Sequence, residues 1–171
     1  MRVADERLGT VAGVKITHRV DYGVRLMALI AGVARDEDGR PVPRHELAER
    51  GDFPAGFLVD ILGQLRNAQL IRSHRGGDGG WTLARPGDQI TVADVMRALE
   101  GPLASVRGVR PHELADQGGE EPFISMWIAV RSALRSVLEA VTVDDLAAGT
   151  LPAAVRAIAA DPDAWDAHRN E

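Results

Sequence analysis

Two short amphipathic segments joined by a tight turn, with a glycine-rich stretch directly behind them, restrict this chain more than anything else in it. The first, RHELAER, can be opened by Pro43 and turns Leu47 and Ala48 inward. Gly51 ends it before a turn at Asp52 and Phe53. The second starts at Pro54, a residue suited to a first helical turn, and carries the apolar stripe Phe57, Leu58, Ile61, Leu62, Leu65. Ala55, Gly56, Val59, Asp60, Gly63, Arg66 and Asn67 are left on its outer side. Two short helices joined by a few residues that include glycine form a helix-turn-helix. Upstream, Val20, Val24, Met27, Ala28 and Ala31 recur at helical spacing, which predicts a helix over 17–34 with Thr17 as its cap.

The stretch that follows, SHRGGDGGW, holds four glycines between Gly76 and Gly80. Residues 70–74 and 81–84 read as short strands on either side, and a hairpin directly after the second helix turns the motif into a winged helix. A phosphate cradle is the competing reading. It fails on register, because Thr82 falls where the third glycine of G-x-G-x-x-G belongs, and no Gly-Lys-Ser/Thr follows. A plain hairpin without a partner is the other alternative. Arg75 weighs against it, since a guanidinium on a narrow tip can enter a minor groove, where the negative potential is strongest. Flanking glycines such as Gly76 and Gly79 would let the backbone come close to phosphates.

Charge is divided along the chain. Residues 14–85 hold eleven Lys/Arg against nine Asp/Glu, whereas residues 86–171 hold seven against fourteen. An anionic partner is therefore expected to meet the first half. Phosphate anchoring is assigned to Arg19, Arg44, Arg66, Arg72 and Arg75, with Thr17, His18, His45 and Asn67 as further donors. With 45% hydrophobic residues the chain can bury one sizeable core. It has no cysteine, which excludes disulfides, zinc–thiolate sites, thiolate-held clusters and cysteine nucleophiles. The N-terminal MRVADERLGTVAG lacks an apolar core segment and the apolar run near Leu26 is too short to span a bilayer, so no signal peptide, no membrane contact and a cytoplasmic location are expected.

The run from residue 14 to residue 100 resembles the IscR/NsrR/CymR family of bacterial winged-helix transcriptional regulators. The resemblance is carried by Thr17 with Asp21-Tyr22-Gly23, VPRHELAER, Phe57-Leu58, Leu65-Arg66, Leu70-Ile71, the Arg75-Gly76-x-x-Gly79-Gly80 signature before an aromatic, and ITVADVMRALEG. It implies a homodimer on a partly palindromic double-stranded operator, with the recognition helix in the major groove and the wing arginine in the minor groove. Gly56, Val59 and Asp60 would then face base edges and Arg75 would be the wing contact. Asp60 can accept from cytosine N4 but repels phosphates, so direct base reading is thin. Relatives that sense iron, nitric oxide or redox state carry three cysteines, and often a histidine, before the long helix. Here that loop has no cysteine, and Ile124 aligns with the histidine. Gln69 stands where relatives usually place the glycine that ends the recognition helix.

Beyond Gly101 the chain turns acidic. Pro122 is expected to start a long helix whose seam, Phe123, Trp127, Val130, Leu134, Val137 and Val141, has the spacing of a helix that pairs with another helix. Thr142-Val-Asp-Asp145 can cap a short final helix. His112, Glu113, Asp116, Glu120 and Glu121 could donate to a metal, but nothing fixes their spacing, and they read as a solvated loop; no metal and no cofactor are assigned. No nucleophile elbow, HExxH or paired-carboxylate signature is present, so no catalytic residue is assigned either.

The fold expected is mainly α with a small β-hairpin, a winged helix-turn-helix plus a long dimerisation helix. Residues 1–13 form an N-terminal extension, 14–100 the DNA-binding domain, 101–121 a linker and sensor loop, 122–149 the dimerisation and short C-terminal helices, and 150–171 a tail. The function expected is that of a dimeric DNA-binding repressor lacking an iron-sulfur cluster. A small molecule against Phe123, Met126 and Trp127, or a partner protein gripping the loop, would set its state. The alternative is an interaction protein that keeps the fold without binding DNA.

Overall fold

The computed structural model describes residues 16–77, 79–106, 108–117 and 121–165, so the N-terminal extension lies outside the described residues. Helix α1 (His18–Asp36) is the central element: α2, α3, α4, α6 and β2 all pack on it. Thr17 caps it as expected, its hydroxyl accepting from the Val20 N–H at 3.2 Å. Leu26, Met27, Ile30, Ala31 and Val33 are buried along its length, and Val20 and Gly23 are buried nearer its start. A Cβ on Gly23 would stand 2.3 Å from Leu99 Cδ1, so this glycine lets α1 and α4 (Val92–Glu100) approach closely.

Helix α2 (Arg44–Gly51) buries Leu47 and is tied to the end of α1 by an ion-pair network. Arg40 bonds Glu37 and Glu46, and Arg50 bonds the same two carboxylates at 3.0 and 2.9 Å. Hydrogen bonds from Arg40, then Arg50, hold the Glu46 carboxyl down to about 2. The turn to α3 (Ala55–Asn67) divides its work between two residues. Asp52 takes the left-handed conformation at φ 50°, while Gly51 makes room for the Phe53 ring, which a Cβ would meet at 2.0 Å.

Leu58, Ile61, Leu62 and Leu65 of α3 join the core. Phe57 departs from the expected stripe: it remains 45% exposed and meets Tyr22 edge-on, with ring centroids 5.7 Å apart. The fifth stripe position lies over the helix-turn-helix joint rather than inside it. The end of α3 is a complete Schellman motif, with Leu70 N–H bonding Leu65 O and Gln69 N–H bonding Arg66 O, both at 2.9 Å. Gln69 is left-handed there, at φ 59°. The hairpin follows, β1 (Ile71–His74) pairing antiparallel with β2 (Gly80–Leu83), and Val42 adds a bridge to Trp81.

A capping box of Thr91 and Asp94 opens α4. The long helix α5 (Glu121–Leu138) follows a 3-10 segment at Pro111–Gln117, on which it packs. Val141 does not extend its seam. α5 has ended by then, Val141 is buried, and its carbonyl accepts from Val92 N–H at 2.9 Å. The chain has already returned to the winged helix, where Thr142 pairs with Thr91 and Val143 N–H bonds Ile90 O at 2.9 Å. Thr142 and Asp145 form the expected capping box of α6 (Val143–Ala147), which packs on α1. The winged-helix core thus draws in residues beyond 100. Helix α7 (Ala153–Ala159) buries Val155, and Trp165 donates its indole N–H to Ala159 O at 2.7 Å.

The left-handed Gln69 gives a direct stability prediction. Gln69→Gly stabilises the fold by about 1 kcal/mol, because a Cβ is disfavoured at this φ. Urea denaturation should show a higher midpoint at unchanged slope; an unchanged or lower midpoint would contradict the assignment.

Candidate nucleic-acid interface

The outer side of α3 is open to solvent at the positions expected to face bases. Gly56, Val59 and Asp60 lie along it and are exposed, Val59 by 56%, and Arg66 and Asn67 are exposed at its end. Beside it, Arg44, His45 and Ala48 of α2 meet Leu58 and Val59 across an open groove of about 460 Å3. The hairpin then carries Arg72 and Arg75, both exposed, away from the core.

Ion pairing divides the arginines of this half into two groups. Arg25, Arg35, Arg40, Arg50 and Arg85 each lie beside a carboxylate. Arg44, Arg66, Arg72 and Arg75 have no carboxylate within salt-bridge distance among the described residues; Asp78 at the wing tip lies outside them. These four guanidinia follow the course from α2 across the end of α3 to the wing, a positive strip of the kind that positions a phosphate backbone.

Arg19 belongs to neither group. Its Nη2 comes within 2.6 Å of Asp60 Oδ2, and the pair links α1 to the recognition helix. The approach is off the line of a hydrogen bond, so Nη2 and Nε remain without hydrogen-bond partners although both are buried. Gln64 Nε2 reaches the other Asp60 oxygen at 3.4 Å. The neighbouring Arg19 charge offsets part of the repulsion between Asp60 and phosphate. The pair also diverts Arg19 from its expected phosphate contact. Thr17 is engaged as well, capping α1 while donating to Glu100 Oε1 at 2.9 Å.

Steric demands of the wing account for three of its glycines. Gly76 takes φ 115°, a Cβ on Gly79 would lie 2.6 Å from His74 O, and one on Gly80 would lie 2.5 Å from the Val42 backbone. Gly77 has open space around it. The glycines thus set Arg75 at the end of a tight, side-chain-poor hairpin. His74 Nε2 lies 2.8 Å from Thr82 Oγ1 and braces its base.

The aromatic trio behind this face was not apparent in the sequence. Tyr22 meets both Phe53 and Phe57 edge-on, with centroids 5.8 and 5.7 Å apart, and fixes α1, the turn and α3 to one another. Asp21-Tyr22-Gly23 and Phe57-Leu58 were signals of family likeness; their shared contact became visible only in three dimensions.

The Rrf2 family, described as "Iron-dependent Transcriptional regulator", matches residues 16–149. The chain belongs to the Rrf2 family. A transcriptional regulator of the helix-turn-helix type from Mycobacterium tuberculosis is 42% identical over 91% of this chain and 95% of its own length. CymR of Bacillus subtilis, also an HTH-type transcriptional regulator, is 32% identical over 80% of this chain and 91% of its own. The solved structure of B. subtilis CymR superimposes with a TM-score of 0.65, covering 80% of this chain and 98% of that one. T. potens IscR gives 0.62 at 29% identity, covering 80% and 88%. The protein is accordingly a winged-helix, DNA-binding transcriptional regulator and not an enzyme.

Iron in the family's description calls for a donor set that the described residues do not offer. The chain has no cysteine, and among the described residues no three histidine or carboxylate side chains gather as ligands. Ile124, at the place aligned with a histidine of relatives, is the buried residue of α5 and serves packing. A thiolate-held cluster has no ligands here.

The Arg19–Asp60 pair generates a test. Asp60→Asn removes the carboxylate that holds Arg19 and adds one cation to the surface, so non-specific DNA binding strengthens and the log affinity against log salt slope steepens by about one. A titration series on random-sequence duplex measures it; an unchanged slope would show that Arg19 stays away from phosphate even when released.

Proposed function

We propose that this Rrf2 regulator acts as a homodimeric repressor on a partly palindromic operator. The observation that carries the reading is that Arg44 on α2, Arg66 at the end of α3, and Arg72 and Arg75 on the hairpin have no carboxylate partners among the described residues. Val59 offers an apolar contact to a thymine methyl, Asp60 an acceptor for a cytosine amino group, and Gly56 close backbone approach. Arg44 and Arg66 hold the helix against the phosphates, Thr17 and Arg19 support it from α1 through the cap and the Asp60 pair, and Arg75, with Gly76 and Gly79 shaping the tip, enters the minor groove.

The dimer forms through α5. Phe123 is 60% exposed, Trp127 37%, and Val130, Leu134 and Val137 continue the same 3-4 spacing half-buried. Ile124 is the buried residue of this helix, and Phe123, Met126, Trp127 and Ile128 keep an exposed apolar surface at its N-terminal end. Pairing two such helices removes that surface from water, at about 25 cal/mol per Å2, and sets two recognition helices on one side. An effector bound against Phe123, Met126 and Trp127 would act on the same seam.

Two outcomes test the proposal. Arg75→Ala lowers operator affinity by about 1–3 kcal/mol in fluorescence anisotropy on the operator mapped for the wild type. An unchanged affinity would reduce the wing to a hairpin without a DNA contact. Trp127→Glu places a charge in each half of the seam and yields a folded monomer by light scattering; a stable dimer would move the interface off α5.

A further inference from the structure

A second arginine cluster lies on the side of the chain where the overall charge is acidic. Arg97 of α4, Arg110 just before the 3-10 segment and Arg131 of α5 line one cavity of about 420 Å3, with Gly101, Pro102 and Leu103 completing its wall. Among the described residues no carboxylate lines it. Arg97 is compensated, since Asp94 lies 3.4 Å from its Nη1 and Glu139 bonds its Nη2. Arg131 is half-buried and Arg110 exposed, and neither side chain has a carboxylate partner among the described residues. Nearby acids are engaged elsewhere: Glu139 also by Arg135 at 2.9 Å, Glu100 by Thr17, and Glu113 by the Arg110 backbone N–H at 3.2 Å.

We propose that this cavity is a binding site for a small organic anion carrying carboxylate or phosphate groups. The unpaired guanidinia of Arg110 and Arg131 face one space beside the compensated Arg97, and an anion relieves their repulsion while taking paired hydrogen bonds from the guanidinium forks. The C-terminal end of α4, at Gly101, opposes an anion with only about half an elementary charge, against the uncompensated full charges of Arg110 and Arg131. The volume falls within the roughly 300–1,000 Å3 of small-molecule sites, and Pro102 and Leu103 supply an apolar wall for a carbon skeleton. The three arginines come from the winged helix, the connecting segment and the long helix. A ligand bridging them fixes the position of α5 relative to the DNA-binding unit, a differential contact through which binding could bias operator affinity. That consequence rests on the proposed operator reading; occupancy of the cavity does not.

Binding is therefore measured without DNA. Isothermal titration of the full chain with citrate and, separately, with inorganic phosphate, at ionic strength held constant with chloride, should give saturable heat for at least one of them. Saturation by citrate alone assigns a polycarboxylate site, and saturation by phosphate a phosphate site. Arg131→Ala and Arg110→Ala should each weaken that binding by roughly tenfold or more, the scale of a lost charged hydrogen bond. Arg25→Ala, at an arginine paired with Asp21, should leave it unchanged. Far-UV circular dichroism of each variant verifies the fold. No saturable heat with either probe, equal losses in all three variants, or full affinity in Arg131→Ala would overturn the site.

Discussion

Burial of α1 is the constraint on which the rest of this molecule depends. Met27, Ala31 and Val33 are fully enclosed, and α2, α3, α4, α6 and β2 rest on this helix. The recognition helix is held against it by two unlike contacts. Tyr22 wedges edge-on between Phe53 and Phe57, an arrangement worth about 0.5–1.5 kcal/mol for each pair beyond its buried area. Arg19 then reaches across to Asp60. The aromatic contacts fix where α3 starts, and the ion pair fixes how its outer face is turned.

Electrostatics refine that face by subtraction. A mildly basic half becomes a defined positive strip because Glu37 and Glu46 absorb Arg40 and Arg50, and Asp94 absorbs Arg85. What remains uncompensated among the described residues is the series from Arg44 to Arg75. Surface ion pairs contribute little to stability, about 0–1 kcal/mol each; their larger effect here is on which cations face outward.

Much of this was legible in the sequence, for local reasons. Thr17 and the Thr142–Asp145 box marked helix starts because caps act within three residues, and Gln69 marked a left-handed residue because a helix end demands one. The hairpin's position followed from glycine punctuation, within a residue at each strand end. What stayed hidden involved partners far apart in the chain. Arg19 read as a phosphate anchor because nothing local ties it to Asp60, and Thr17 could not reveal its bond to Glu100. Val141 fitted the heptad spacing, yet α5 stops before it and the chain turns back to pair with α4. Phe57 fitted the apolar stripe, yet tertiary packing gave it Tyr22 in place of the core. The glycines of the wing answered to sterics that only Val42 and His74 in place could show.

On the proposed reading, two copies of this chain bind one duplex, each through α3 in the major groove and its wing in the minor groove. Methylation interference on a duplex recovered by genome-wide mapping of bound DNA tests it most directly, because guanine N7 reports the major groove and adenine N3 the minor groove. The account predicts two clusters of N7 interference, symmetric about a centre and separated by about one helical turn, ~34–36 Å, or a multiple of it. N3 interference should fall beside each cluster and vanish in Arg75→Ala. A single cluster, or N3 interference that is indifferent to Arg75, would contradict the account.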